Sequence, residues 1–264
     1  MRHAYSATNQ AHNHPKIAQV LVDQVQTLAL TSRAFYNDVL GTYEEYTTKL
    51  FGYDKVLPMN TGGEGGETAC KLARRRGYDV KGVEKNKAVI LFPQNNFCGK
   101  TLSAVSTSTD PTSYGGFGPY MPSFEIIPYN DLPALEQKLE SNPNIVAFMT
   151  EPIQGEAGII VPDDGYLKGA QALLKKHNAL LRADILVLGK SLSGGTYPIS
   201  AVLADDEVML TIGRGQHGST YGGNPLAAKI ATAALQVTVD EELPQKSCAM
   251  GQLFRQQLSS LQES

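Results

Sequence analysis

Lys190 closes the apolar run Asp184-Ile-Leu-Val-Leu-Gly and is followed by Ser191-Leu-Ser-Gly-Gly. A lysine directly after such a strand sits at the carboxyl edge of an α/β sheet, where open sheets place their ligands. Desolvation at such an edge favours an uncharged amine, the form that attacks an aldehyde. The small residues behind it leave room for a ring and a phosphate. On its local pattern alone, though, Lys190 reads as a solvated strand-end lysine, as most are.

Three further stretches carry chemistry-bearing residues. Asn60-Thr-Gly-Gly-Glu-Gly-Gly-Glu is a glycine-rich turn leading into a helix. Unpaired N–H groups and the positive end of the helix dipole make such a start an anion site, and Gly62 and Gly63 let a phosphate reach the backbone. No Gly-Lys-Ser/Thr follows, so it is not a Walker A loop. The plainer reading is a capped turn in which Glu64 and Glu67 serve the first helical turn. Glu151-Pro-Ile-Gln-Gly-Glu-Ala-Gly sets two carboxylates, Glu151 and Glu156, at a sheet edge, where they could orient an amine or simply be solvated. In Gly215-Gln-His-Gly-Ser-Thr-Tyr-Gly-Gly-Asn-Pro, Ser219 and Thr220 are short hydroxyl donors before a helix, again suited to a phosphate. His217 reads as structural. His12 and His14 have a spacing seen in metal sites but no partner near in sequence, so a structural role is expected and no metal.

The elements that must position these residues alternate between strand and helix. Helices are expected over 15–30, 39–52, 64–76 (stopping at Gly77), 131–140, 165–178 and 224–237. A short strand is expected over Lys55-Val-Leu-Pro-Met-Asn-Thr-Gly, ending in a glycine turn, and further strands over 87–92, 144–150, 184–189 and 199–204. Residues 106–123, rich in Ser, Thr, Gly and Pro, read as a long loop. The strands are apolar runs rather than polar–apolar alternations, which implies a mostly parallel sheet flanked by helices, an α/β fold. One junction resists this. Ala179-Leu180-Leu181 is separated from the strand at 184–189 by Arg182 and Ala183 alone, whereas a parallel crossover needs about a dozen residues.

Composition narrows the function classes. Apolar residues make up 42% and charged residues 19%, values of a globular chain with a core. The formal net charge of −3 offers no footprint for nucleic acid or an anionic membrane, and no apolar run is long enough to span one. Cys70, Cys98 and Cys248 are far apart and odd in number, which argues against a disulfide framework. No signal or transit peptide is legible, so a cytoplasmic location is expected, with the mitochondrial matrix as the alternative if the native chain starts earlier.

Each signal is ambiguous alone; their order is not. Tyr5-Ser-Ala-Thr-Asn-Gln, Thr31-Ser-Arg-Ala-Phe-Tyr, Met59-Asn-Thr-Gly, Glu151-Pro-Ile-Gln-Gly-Glu-Ala-Gly, Leu188-Gly-Lys-Ser-Leu-Ser-Gly-Gly and His217-Gly-Ser-Thr-Tyr-Gly-Gly-Asn-Pro together resemble the ornithine aminotransferase family of class III pyridoxal-phosphate (PLP) aminotransferases. The resemblance implies the large domain of a PLP-dependent transferase of fold type I and a homodimer. It makes Lys190 the Schiff-base lysine and proton shuttle. Gly62 and Gly63 would bind the cofactor phosphate, with Ser219 also near it. Thr220 would reach the phosphate held by the partner subunit, and Phe97 would stack on the ring. Tyr5 would line the ornithine pocket, with Lys100, Glu151 and Glu156 also on the substrate side and Glu156 as a gating carboxylate. The implied reaction moves the δ-amino group of L-ornithine to 2-oxoglutarate, giving glutamate-5-semialdehyde and glutamate.

The sequence also departs from that family. The Ala-Asp-Glu-[Ile/Val]-Gln-Thr-Gly stretch, whose aspartate pairs with the pyridine nitrogen, is absent, and about two dozen residues are expected to be missing between Leu181 and Arg182. Asp184 matches a residue opening the next strand and is no substitute. Lys100 stands where the family has a carboxylate-gripping arginine, losing the bidentate fork. Cys98 replaces an aromatic. The family's N-terminal segment and small C-terminal domain are also expected to be missing. The ranges read as 1–32, an N-terminal segment; 33–240, the PLP-binding domain with the deletion at 181/182; and 241–264, the start of the C-terminal region. Two other readings stay open: a non-catalytic splice product or incomplete gene product that dimerises or binds PLP weakly, and a class III aminotransferase for acetylornithine or 4-aminobutyrate.

Overall fold

The computed structural model describes residues 4–181 and 184–262. In chain order the elements are α1 (Pro15–Thr27), α2 (Leu40–Phe51), β1 (Lys55–Met59), α3 (Gly62–Asp79), β2 (Val89–Pro93), α4 (Leu102–Val105), α5 (Pro111–Tyr114), β3 (Phe124–Ile127), α6 (Leu132–Ser141), β4 (Ile145–Phe148), α7 (Tyr166–Lys176), β5 (Leu180–Leu181), β6 (Ile185–Leu188), β7 (Ser200–Ala204), α8 (Asp206–Met209), α9 (Pro225–Asp240) and α10 (Leu243–Gln262). Contacts gather into two units. One comprises Met1–Thr47, Lys190–Ile199 and Gly223–Ser264; the other Thr48–Gly189 and Ser200–Gly222. The larger lies within the range 33–240 drawn from the sequence, while the smaller draws residues from all three ranges, 1–32, 33–240 and 241–264.

The larger unit holds both sheets. Four strands run parallel in the order β3-β2-β4-β5, and three pair antiparallel in the order β1-β7-β6. Successive residues of β2 explain why its run is apolar throughout. Val89 and Leu91 join a core with Leu135 and Leu139 of α6 and Ala170 and Leu174 of α7. Ile90 and Phe92 join a second core on the other face, with Ala69, Leu72 and Ala73 of α3. A strand covered on both sides has no polar face. Burying each of these side chains contributes about 1.5–3 kcal/mol.

Gly77, expected to stop α3, lies inside it. A Cβ there would meet Val146 Cγ1 at 2.3 Å, so the glycine marks the close approach of helix and strand β4 rather than a terminus. The helix also starts two residues earlier than expected, at Gly62. Residues 106–123 hold the short helix α5, and both β3 and α10 lie where no element is expected from the sequence.

The residues that raised the crossover problem, Arg182 and Ala183, lie outside the described residues. On either side, β5 is two residues long and pairs with β4, while β6 pairs with β7. Among the described residues no ladder joins β5 to β6. Asp184 binds back across the junction: its N–H donates to the Leu181 carbonyl at 2.9 Å, and its Oδ2 accepts from the Leu181 N–H at 2.7 Å.

In the smaller unit α1 packs on α9. Ile17 is fully buried against Leu226, Ile230, Ala234 and Val237. Pro15 at the first turn of α1 and Asn224 capping α9 set where these helices begin. No helix among the described residues is long and apolar enough to cross a membrane.

Candidate functional site

The start of α3 is built by reciprocal capping. Thr61 Oγ1 accepts from the Glu64 N–H at 3.2 Å, and Glu64 Oε2 accepts from the Thr61 N–H at 2.6 Å and the Asn60 N–H at 3.1 Å. Its other oxygen accepts from Asn60 Nδ2 at 3.1 Å. Burial pushes the Glu64 carboxyl up, but the hydrogen bonds from Asn60 and Thr61 outweigh it and hold the group below its ordinary value. Glu64 is thus spent on the turn, as the capped-turn reading held, whereas Glu67, assigned to the same turn, instead accepts from Thr101 Oγ1 at 2.6 Å. The N–H groups of Gly62 and Gly63 stand in the first turn, where a helix has no internal acceptors for them.

Two other segments meet this turn. Asn60 Nδ2 also donates to Ser219 Oγ at 3.0 Å, which in turn accepts from the Gly222 N–H at 2.9 Å. Ser219 is therefore fixed beside the glycine turn, while Thr220, next to it, is exposed. From the sheet, a Cβ on Gly189 would come within 3.9 Å of Gly62 Cα, and the Thr61 carbonyl accepts from Ser200 Oγ of β7 at 2.6 Å. The carboxyl end of β6 thus abuts the start of α3.

Lys190 follows Gly189 and belongs to the smaller unit. It opens a 3₁₀ turn, Lys190–Ser193, with φ of 50°. A left-handed lysine costs roughly 1–3 kcal/mol, a strain that gathers at functional positions. Gln10, nearly buried, holds this turn: its Nε2 donates to the Ser191 carbonyl at 2.9 Å and to Thr238 Oγ1 of α9 at 3.2 Å. Tyr5 lies in the same unit, exposed and with a φ of 55°.

The 97–101 loop carries three predicted residues. The Phe97 N–H donates to Glu151 Oε1 at 3.0 Å, and Glu151 Oε2 accepts from the Gly155 N–H at 3.2 Å. Glu151 therefore pins two backbone segments instead of presenting a bare carboxylate. The Lys100 ammonium lies 5.7 Å from the Phe97 ring centroid and donates to Ser113 Oγ, which donates to Asp110 at 2.6 Å. Those hydroxyl hydrogen bonds hold the Asp110 carboxyl low. Glu156 lies exposed in the turn beyond Glu151, where the structure does not gather it with the others.

His217 is structural, with partners the sequence did not reveal. Lys71 Nζ donates to its Nδ1 at 3.0 Å, and Thr68 Oγ1, which donates to the Glu64 carbonyl, lies 3.1 Å from its Nε2. This arrangement selects the neutral ring with the proton on Nε2. Burial first and Lys71 second lower its pKa, with Glu64 opposing. A cleft of about 470 Å³ opens there, lined by Glu64, Glu67, Thr68, Lys71 and His217. His14 also has a distant partner, Glu241 Oε1 at 3.0 Å. Among the described residues no three His, Cys, Asp or Glu side chains converge on a metal position. Asn60 and Gln10 are the site-building residues that sequence reasoning passed over. An amide side chain in a polar turn carries no signal of its own.

Comparison with known proteins identifies the family. The class III aminotransferase family model matches residues 1–184 and 181–264, two stretches that meet at the β5–β6 junction. Mitochondrial ornithine aminotransferase of Rattus norvegicus is 59% identical over 281 residues, more positions than the 264 in this chain. The match covers 98% of this chain and 64% of that protein. A structure of the ornithine aminotransferase from Toxoplasma gondii superposes with a TM-score of 0.94 at 44% identity, covering 96% of this chain and 65% of that one. Acetylornithine aminotransferase from Elizabethkingia anophelis superposes with a TM-score of 0.88 at 50% identity, covering 98% and 69%. The chain spans about two thirds of the length of such relatives. With the family pattern running from end to end, and its glycine turn abutting the strand that leads into Lys190, the chain belongs to the class III aminotransferases.

Proposed function

We propose that this chain carries the cofactor-handling core of an ornithine aminotransferase, which moves the δ-amino group of L-ornithine to 2-oxoglutarate through PLP. The observation that carries the reading is the meeting of Gly189, the residue before Lys190, with Gly62 at the capped start of α3. The Toxoplasma gondii structure has PLP at partial occupancy at its active site. Here the first amides of α3, at Gly62 and Gly63, suit a phosphate dianion, with the Ser219 hydroxyl fixed beside them. Phe97, about a third exposed, offers a ring face. The Lys190 amine would attach the cofactor aldehyde and then carry the proton at the substrate carbon. PLP itself supplies the electron sink. In a homodimer Thr220 would reach the phosphate held by the second copy. Tyr5, Lys100, Glu151 and Glu156 would face the substrate, Glu151 by holding the Phe97 loop and Lys100 as a point charge in place of a bidentate fork.

The phosphate and ring ends fit; the pyridine-nitrogen end does not. Asp184, the carboxylate at the β5–β6 junction, is taken by the Leu181 amide. We read the junction as a lost connection that removes the acid partner of that nitrogen, so that turnover is weak or absent while the cofactor still binds. The name of the rat relative supports the mitochondrial matrix over the cytoplasm. The acetylornithine enzyme's 50% identity favours one second reading, in which acetylornithine is the amine donor.

Mixing the purified chain with PLP tests this. An absorbance band near the visible edge should appear and be lost in Lys190→Ala; its absence in the parent rejects cofactor binding. Adding L-ornithine or N-acetylornithine then identifies the amine donor by whichever one bleaches the band. Robust multiple turnover with either would overturn the reading of an impaired site.

A further inference from the structure

Cys98, which stands where the family carries an aromatic, has a defined neighbourhood. A Cβ built on Gly66 would lie 2.9 Å from Cys98 Sγ and 3.5 Å from Met149 Cε, so both side chains arrive over one point of α3. One turn along the same face, Cys70 Sγ lies 4.0 Å from Met149 Sδ. Burial first and Cys98 second push the Cys70 thiol up. All three side chains are partly buried against the core beneath α3.

We propose that Cys70, Cys98 and Met149 form a binding site for a single Cu(I) ion. The donor set decides the class. Two thiols and a thioether are soft ligands, which select Cu(I), whereas zinc takes four nitrogen, oxygen or thiolate donors and makes little use of a thioether. The Cys70 and Met149 sulfurs, 4.0 Å apart and not bonded, stand where they can share one ion. Binding replaces each S–H bond with an S–Cu bond and releases one proton per cysteine. No electron moves. Two thiolates on one monovalent cation leave a net negative charge. Arg74, one turn beyond Cys70, opposes it with a guanidinium held by the Pro122 carbonyl at 3.2 Å. Because the ion displaces a proton from each thiol, uptake should weaken as pH falls. Because Cys98 lies between Phe97 and Lys100, an ion on it would tether that loop to α3.

The test is anaerobic Cu(I) titration of the full chain against a chromophoric Cu(I) chelator, with the exposed third thiol removed as Cys248→Ser. One ion per chain should be retained, with two protons released. Retention should fall at least tenfold in Cys98→Ser and in Cys70→Ser, and measurably in Met149→Leu. Cys98→Trp, with circular dichroism of every variant, supplies a folded chain that lacks the ligand. Failure to hold Cu(I) against the chelator, or equal retention in Cys98→Ser or Cys98→Trp, would overturn the proposal. So would equal preference for Zn(II), or spontaneous joining of the two cysteines in air, read as loss of two hydrogens from the intact mass.

Discussion

Replacing Glu64 with alanine should destabilise the larger unit by about 2 kcal/mol near neutral pH. The carboxylate accepts from two backbone N–H groups and one amide, at 2.6 to 3.1 Å. Hydrogen bonds to a charged group contribute about 1.5–3 kcal/mol each when buried. This site is partly open, so water replaces much of each bond, and about 2 kcal/mol for the three together is the reasonable sum. The pH dependence is more diagnostic than the magnitude. The folded-state pKa of Glu64 is lowered, so its stabilisation is fully present above the unfolded carboxyl value, about 4.3, and is lost as pH falls through the lower folded value. Urea unfolding of parent and Glu64→Ala from neutral pH down to about pH 3 should show two stabilities that converge in acid. Equal stability near neutral pH, or a deficit that persists undiminished in acid, would refute the assignment of these bonds to the ionised carboxylate.

Two other perturbations probe the frame. Gly77→Ala should cost about 1–3 kcal/mol in urea unfolding because its methyl meets Val146, and pairing it with Val146→Ala should recover part of the loss. His217 has a folded-state pKa below its unfolded value near 6.5, so the unfolded chain takes up the proton first and the parent loses stability as pH falls through that region. A melting-temperature profile from about pH 8 to 5 should therefore be flatter in His217→Gln than in the parent.

The larger strands and helices were legible because their apolar runs and periodicities are long. The errors have physical causes. Gly77 looks like a terminator, and only the strand packed on it shows that the missing side chain serves close approach. The short β3 (Phe124–Ile127) follows a proline- and glycine-rich stretch that masks it, and α10 leaves much of its apolar surface, including Phe254 and Leu258, exposed. At the site, the structure brings the Ser219 turn against the glycine turn, where Asn60 Nδ2 donates to the Ser219 hydroxyl. The use of the carboxylates was not readable. Glu64 and Glu151 each serve backbone amides, partnerships set by chain geometry rather than by residue type. His14 with Glu241, like Lys71 with His217, joins positions far apart in sequence, which no local pattern encodes.

The pairing of β1 with β7 sets an order of assembly. Among the described residues Lys55–Met59 pairs only with Ser200–Ala204, while β2, β3 and β4 all lie between Val89 and Phe148. On a ribosome the parallel ladder can close early, but the first strand waits with both edges bare until the chain beyond Ala204 has emerged. The Thr61 carbonyl receives its Ser200 hydroxyl at that late step. The turn suited to an anion is therefore fastened late, and a nascent chain stalled before β7 would carry the glycines without the grip.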